Sequence, residues 1–347
     1  MIEVVDYHTA GEPFRIVTSV EVPGASVPDR RVFAQTSSEV DAIRQLLVNE
    51  PRGHADMYGG FVVPGNDEGA DFGVLFWHKD GYSTACGHGT IALAEWAVRS
   101  GRVEAAHDGE TPVVIDVPSG RVTATVSRVG GVTRSVAFRN VPSYVIARDV
   151  EVTTSRGPVR VDVSYGGAIY ASLPAASVGL TVAPEHADGL IALGREIKWA
   201  LNDHEVAQHP SDPRLSGVYG TIWFDDLGRF DGTPGTSPDD EAGRPARGPH
   251  QRNVTVFADG EVDRSPCGSG TCARIALLAD DGTLGDGDVL VHDSIVGTRF
   301  VGRVVERATA EGRSAVVPEV RGTAFPTGEH VFVLHSGDPL GTGFVLR

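Results

Sequence analysis

Sulfur is scarce in this 347-residue sequence, which holds two methionines and three cysteines, Cys86, Cys267 and Cys272. So sparse and odd a set of thiols excludes a disulfide scaffold and suits a reducing cytoplasm. No C-x-x-C pair and no H-E-x-x-H run occurs, so no metal site is expected. Positive charge is short too: 30 Lys and Arg stand against 46 Asp and Glu, a formal net charge of −16. That balance argues against nucleic acid or an anionic membrane as partner and leaves a small molecule as the expected ligand. Long apolar runs are missing, so no transmembrane helix is expected. The opening residues, MIEVVDYHTAGEPFRIV, lack a basic stretch followed by an apolar core, and no secretory signal is expected from them. Nothing here sets the oligomeric state, and a homodimer is compatible with it.

What is abundant is glycine, 43 residues, and proline, 21, without a collagen-like period. Many short strands joined by tight turns follow from that composition. The length favours two domains. From Met1 to about Phe76 the runs IEVVDY, FRIVTSVEV, GGFVVP and FGVLFWH read as strands. Thr90–Ser100 reads as a helix, as do ADGLIALGREIKWALND and the segment after Cys267. Asp225–Arg252 is rich in Gly, Pro and charge and reads as an exposed loop.

Two stretches share a pattern, STACGHGTIALAEWAVRSG from Ser83 and DRSPCGSGTCAR from Asp263. With Cys86 laid on Cys267, Gly87 falls on Gly268, Gly89 on Gly270, Thr90 on Thr271, Ala92 on Ala273 and Gly101 on Gly282. Each follows a strand-like run, which reads as an internal duplication of a strand–turn–helix unit. A helix N-terminus carries unpaired N–H groups and partial positive charge, so it lowers a thiol pKa and can bind a carboxylate. Two such motifs facing each other would clamp one carboxylate with a sulfur on either side of its α-carbon. One thiolate would take the α-proton, and the opposite thiol would return a proton, inverting the centre with no cofactor. His88 and Asp263 flank the motifs and are expected to orient or tune the opposite thiol, or to bind the substrate ammonium. Cys272, inside its helix without a glycine turn, reads as structural.

These residues, together with DYHTAGEPFRIV, PRGHADMYG, RNVTVFADGEVDRSPCGSGT and DPLGTGFVLR, resemble the proline racemase superfamily over nearly the whole chain. The superfamily holds proline racemases, hydroxyproline 2-epimerases and trans-3-hydroxy-L-proline dehydratases. The resemblance implies an α/β (α+β) fold like that of diaminopimelate epimerase, with two pseudo-symmetric domains, each a barrel-like sheet around a central helix. Residues 1–130 plus 320–347 would form the domain carrying Cys86, and 131–319 the domain carrying Cys267. It implies that Cys86 and Cys267 are the catalytic bases, with His88 and Asp263 as neighbouring catalytic positions. Gly87, Gly268 and Ser269 match positions whose amides hold the carboxylate, and Tyr58 and Phe257 match positions that wall the pyrrolidine ring. His8, Glu12 and His54 lie in family-like motifs and read as ordering loops.

Cysteine at both catalytic positions is the pattern of racemases and epimerases, whereas dehydratases commonly replace one with Ser or Thr. The flanking text GVLFWHKDGYS and VFADGEVDRSP is closer to the dehydratase branch. The cysteine pair carries the chemistry, so the expected activity is epimerisation of hydroxyproline or proline. The alternatives are dehydration of trans-3-hydroxy-L-proline to Δ1-pyrroline-2-carboxylate and, more remotely, non-catalytic binding of an imino acid.

Overall fold

Serines start the first two helices. Ser26 accepts from the Asp29 amide to begin α1, Val27–Thr36, and Ser37 accepts from Val40 to begin α2, Ser38–Val48. The reading of residues 1–76 as strands alone is corrected here. Val40, Ile43, Leu46 and Leu47 recur at helical spacing, and all but Ile43 are buried. The computed structural model describes residues 1–232 and 246–346. Three longer helices, α3 (Gly87–Arg99), α4 (Ala187–Asn202) and α5 (Gly268–Asp280), lie where the sequence places them. Helix α3 begins three residues before the expected Thr90, because Cys86 is its N-cap.

Strands dominate the rest, and their pairings fall into two series. The first runs Ala324–Phe332, Ile2–Thr9, Glu12–Val17, Gly59–Val63, Phe72–His78, Gly109–Val117, Gly120–Val129 and Val132–Arg139. The second runs Ser143–Thr154, Gly157–Tyr165, Ile169–Pro174, Val218–Gly232, Ala246–Phe257, Leu290–Ser294, Arg299–Ala310 and Arg313–Gly322. In both, the third and fourth strands pair in parallel, as do the fifth and sixth, and every other neighbour is antiparallel. Arg313–Gly322 also pairs with Ser143–Tyr144 and with Val136–Arg139, which returns the second series to its start and joins it to the first. Helix α3 contacts strands of the first series and α5 those of the second. Both helices are buried nearly all round, as a core helix must be when sheet surrounds it.

Two expectations about the chain's organisation change. Asp225–Arg252 is not simply a loop: Val218–Gly232 pairs with Ala246–Phe257 out to Gly232 opposite Ala246, and residues 233–245 lie outside the described residues. The charges that suggested a loop are carried on this hairpin arm, where Arg229 meets Asp288 at 2.8 Å. The expected domain boundary at 130 falls in the tight turn between two paired strands, and the one at 320 falls within Arg313–Gly322.

Buried Arg15 ties α2 to the sheet. Its Nε and Nη2 donate to the two oxygens of Asp6 at 2.9 and 2.7 Å, and Nη1 donates to the carbonyls of Leu47 and Arg52 at 2.6 and 2.9 Å. Arg15→Ala strips Asp6 of its bidentate partner and is expected to cost about 3–5 kcal/mol in urea unfolding. Arg15→Lys should recover little of it, since an ammonium lacks the planar fork. A loss below about 1 kcal/mol would show that the pair contributes no more than a surface ion pair.

Candidate active site

Helices α3 and α5 meet N-terminus to N-terminus, and only glycine permits it. A Cβ on Gly87 would come within 2.5 Å of Gly268 Cα, and one on Gly268 within 2.6 Å of Gly87 Cα. The cysteines before these glycines are thereby brought to one place. Cys86 has extended backbone, and its Sγ accepts from the Gly89 amide at 3.2 Å. Cys267 has φ of 59°, a conformation few non-glycine residues adopt, and its amide donates to Ser265 Oγ at 3.1 Å. Gly89 and Gly270 make room for the sulfurs: a Cβ there would approach Cys86 Sγ to 2.8 Å and Cys267 Sγ to 2.9 Å.

Cys86, His88, Tyr58, Phe257, Asp263, Cys267 and Ser269 all line one narrow cleft, together with Tyr170 and Tyr219. Both ring nitrogens of His88 lie 3.5 Å from Cys86 Sγ, so the histidine serves its own neighbour rather than the thiol opposite. His88 Nδ1 also lies 3.6 Å from Asp263 Oδ2. The other Asp263 oxygen accepts from Ser265 N at 2.8 Å and Ser265 Oγ at 2.7 Å. Tyr58 packs edge-on against His88, with ring centroids 4.9 Å apart, and Tyr219 stacks on Phe257 at 5.6 Å. Cys272, by contrast, is fully buried in the core.

Burial works against the expected lowering of the thiol pKa values. Burial pushes both Cys86 and Cys267 above the ordinary thiol value, and the nearby negative Asp263 adds to the rise. The helix amide at Gly89 opposes this for Cys86, and that at Gly270 for Cys267, but desolvation is the larger effect. Both effects act on the thiolate: the helix amides stabilise it, and the loss of solvation destabilises it more.

Two lining groups, Tyr170 and Tyr219, and one hydroxyl behind them, that of Ser83, escaped the sequence reading. Tyr170 OH lies 2.7 Å from Ser269 Oγ and 3.9 Å from Cys267 Sγ, 97 residues away in the chain. Tyr219 OH bonds to Tyr58 OH at 2.9 Å, and Tyr58 OH also bonds to Ser83 Oγ. Nothing near either tyrosine in sequence marks it, whereas Ser83 stands just three residues before Cys86. Behind this wall, ligand atoms of His78, Asp80 and Glu261 lie within 4.8 Å of one another, a group able to hold a cation. Lys79 Nζ is already 3.3 Å from Asp80 and supplies positive charge there.

Fold and site define a mixed α and β enzyme, dominated by sheet, with two thiols in one buried cleft. The proline racemase family model matches residues 4–345, and the chain belongs to that family. It is 43% identical to the 3-hydroxyproline 2-epimerase of Burkholderia multivorans, over all of this chain and 98% of the relative. It is equally 43% identical to the trans-3-hydroxy-L-proline dehydratase of Azospirillum brasilense, with the same coverage. Among solved structures it resembles a hydroxyproline epimerase from Agrobacterium vitis with bound trans-4-hydroxy-L-proline, at TM-score 0.87 and 32% identity over 99% of this chain and 95% of that one. A probable proline racemase from Agrobacterium radiobacter with bound carbonate superposes at TM-score 0.88, with 29% identity over 100% and 97% of the two chains.

Gly270→Ala, which drives a methyl group against Cys267 Sγ, is expected to lower turnover about 100-fold while the protein still folds. Full activity in that variant would show that the sulfur has room to shift. Because burial holds both thiols high, their carboxymethylation by iodoacetamide should climb about tenfold per pH unit from about pH 7 to about pH 9. A plateau below about pH 8 would mean that the helix termini outweigh burial.

Proposed function

We propose that this protein is a cofactor-independent epimerase that inverts the α-carbon of a hydroxyproline by a two-thiol mechanism. The observation that carries the reading is the pair Cys86 and Cys267 at abutting helix N-termini, lining one cleft. The substrate carboxylate binds the amides around Gly87, Gly268 and Ser269, where helix N–H groups converge. Asp263, with His88, receives the cationic ring nitrogen. Tyr58 and Phe257 enclose the ring. One sulfur, as thiolate, removes the α-proton, charge develops on the carboxylate oxygens beside the helix N–H groups, and the other sulfur delivers its proton to the opposite face. A raised thiol pKa makes each thiolate the stronger base toward a weakly acidic carbon.

The hydroxyl cluster of Tyr58, Ser83 and Tyr219 favours a hydroxylated ring over proline. Three hydroxyls carry three hydrogens, and among the described residues their two mutual bonds use two. The remaining hydrogen suits a ring hydroxyl. The same cluster favours one alternative, dehydration of trans-3-hydroxy-L-proline. There a single thiolate takes the α-proton, the 3-hydroxyl leaves as water with a donated proton, and the enamine tautomerises to Δ1-pyrroline-2-carboxylate. The relatives bearing the dehydratase name support keeping that reading.

The matching order of strand pairings in the two series supports reading the fold as two pseudo-symmetric, barrel-like halves around α3 and α5. The division would then fall near residues 140 and 323. Three free thiols suit a reducing compartment such as the cytoplasm, and no helix among the described residues is long and apolar enough to cross a membrane.

Proton NMR in D₂O, with L-proline, trans-4-hydroxy-L-proline and trans-3-hydroxy-L-proline supplied separately, tests the proposal. Loss of the α-proton signal with appearance of the C2 epimer is expected for a hydroxylated substrate. Cys86→Ser and Cys267→Ser should each lower epimerisation by about 1,000-fold or more, since inversion needs both sulfurs. Conversion of the 3-hydroxy compound to cyclic imine without epimer, tolerant of one of these substitutions, would establish the dehydratase instead. Tyr219→Phe should narrow the preference for hydroxyproline over proline by about tenfold or more.

A further inference from the structure

Asp263 ends the short strand Glu261–Asp263, which pairs with Ala246–Phe257 of the second series. The groups that hold this strand in place come from the first. The Val262 amide donates to Asp56 Oδ1 at 3.1 Å, and the Arg264 amide donates to Glu12 Oε2 at 2.7 Å. The residues on either side of Asp263 are thus each bonded through the backbone to a carboxyl group of the other half. Arg264 Nη2 adds an ion pair to Asp56 Oδ2 at 2.6 Å. These carboxyl groups are deeply buried, Glu12 at 0% exposed and Asp56 at 1%. Glu12 Oε1 is buried with no hydrogen-bond partner among the described residues. Burial, reinforced by the negative charge of Asp263, pushes the Glu12 carboxyl well above its ordinary value. A carboxyl group kept under such conditions costs stability, and merely ordering a loop does not require one.

We propose that Glu12 and Asp56 are positioning residues: they hold the backbone on both sides of Asp263 and thereby set its carboxylate against His88 and Cys86 of the opposite half. This inference rests on the two-thiol reading of the cleft. Neither residue is assigned contact with the reacting atoms. The hold crosses from one half to the other, so it forms as the halves come together and assembles the site in the same step. The free oxygen of Asp263 is left facing His88, because Ser265 occupies the other one.

The test uses the full chain and whichever hydroxyproline the wild type turns over, with Glu12→Ala, Glu12→Gln, Asp56→Ala and Asp263→Asn compared. Glu12→Ala and Asp56→Ala should each lower kcat about 100-fold, with KM changed less than about threefold and circular dichroism unchanged. Glu12→Gln should keep kcat within about threefold, because its amide oxygen can accept from Arg264 N and mimics a protonated Glu12. That rescue, with the split between kcat and KM, separates positioning from general loosening of the fold. Wild-type kcat in Glu12→Ala beside an inactive Asp263→Asn would overturn the proposal alone. Full activity in Asp263→Asn would overturn the proposal together with the site reading beneath it. Should Glu12→Ala fail to fold, Asp56→Ala decides by the same measure, since its partner Arg264 is partly exposed and tolerates the loss.

Discussion

The close approach of Gly87 and Gly268 is the constraint on which the rest depends. Two helix N-termini carry like partial charges and would not choose to face each other. They are held together because each helix packs against its own series of strands and Arg313–Gly322 pairs with strands of both series. The product is a place where N–H groups from two directions are left without intrahelical partners. Such a place can stabilise an anion, and Cys86 and Cys267 line the cleft beside it. Any side chain at either glycine would push the helices apart and separate the sulfurs.

Enclosure sets the electrostatics of the cleft. Desolvation raises the thiols, Tyr58, Tyr170, Tyr219, Glu12 and Glu261, while it lowers His78 to about 3. Each of these shifts favours the neutral form of its group, which leaves Asp263 as the negative charge beside the thiols. In the proposed mechanism a zwitterionic substrate would bring its own charges, a carboxylate for the helix ends and a cation for Asp263, and ionisation of a thiol would be coupled to binding.

Much of the site was readable because its chemistry is local. The C-G-x-G-T repeats placed two thiols, four glycines and two helix starts; the thiols line the cleft, Gly87 abuts Gly268, and Gly89 and Gly270 make room for the sulfurs. Elements whose signals are weak or ambiguous fared worse. Helices α1 and α2 hid among strand-like runs although Ser26 and Ser37 cap them, and the charged arm after Asp225 looked like a loop because its strands extend away from the core. Tyr170, Tyr219 and the hold that Glu12 and Asp56 exert on the Asp263 strand are long-range contacts with no periodic or motif signature.

The amino-acid sequence by itself determined the paired cysteine motifs, the helices they start and the family. Spacing within a motif is fixed by covalent geometry and by the helix the motif starts. The tertiary structure decided the direction of the thiol shifts, the company of hydroxyls around Tyr58, and which strands hold Asp263. Those depend on burial and on distances between segments far apart in the chain, and both arise only when the two halves close on each other.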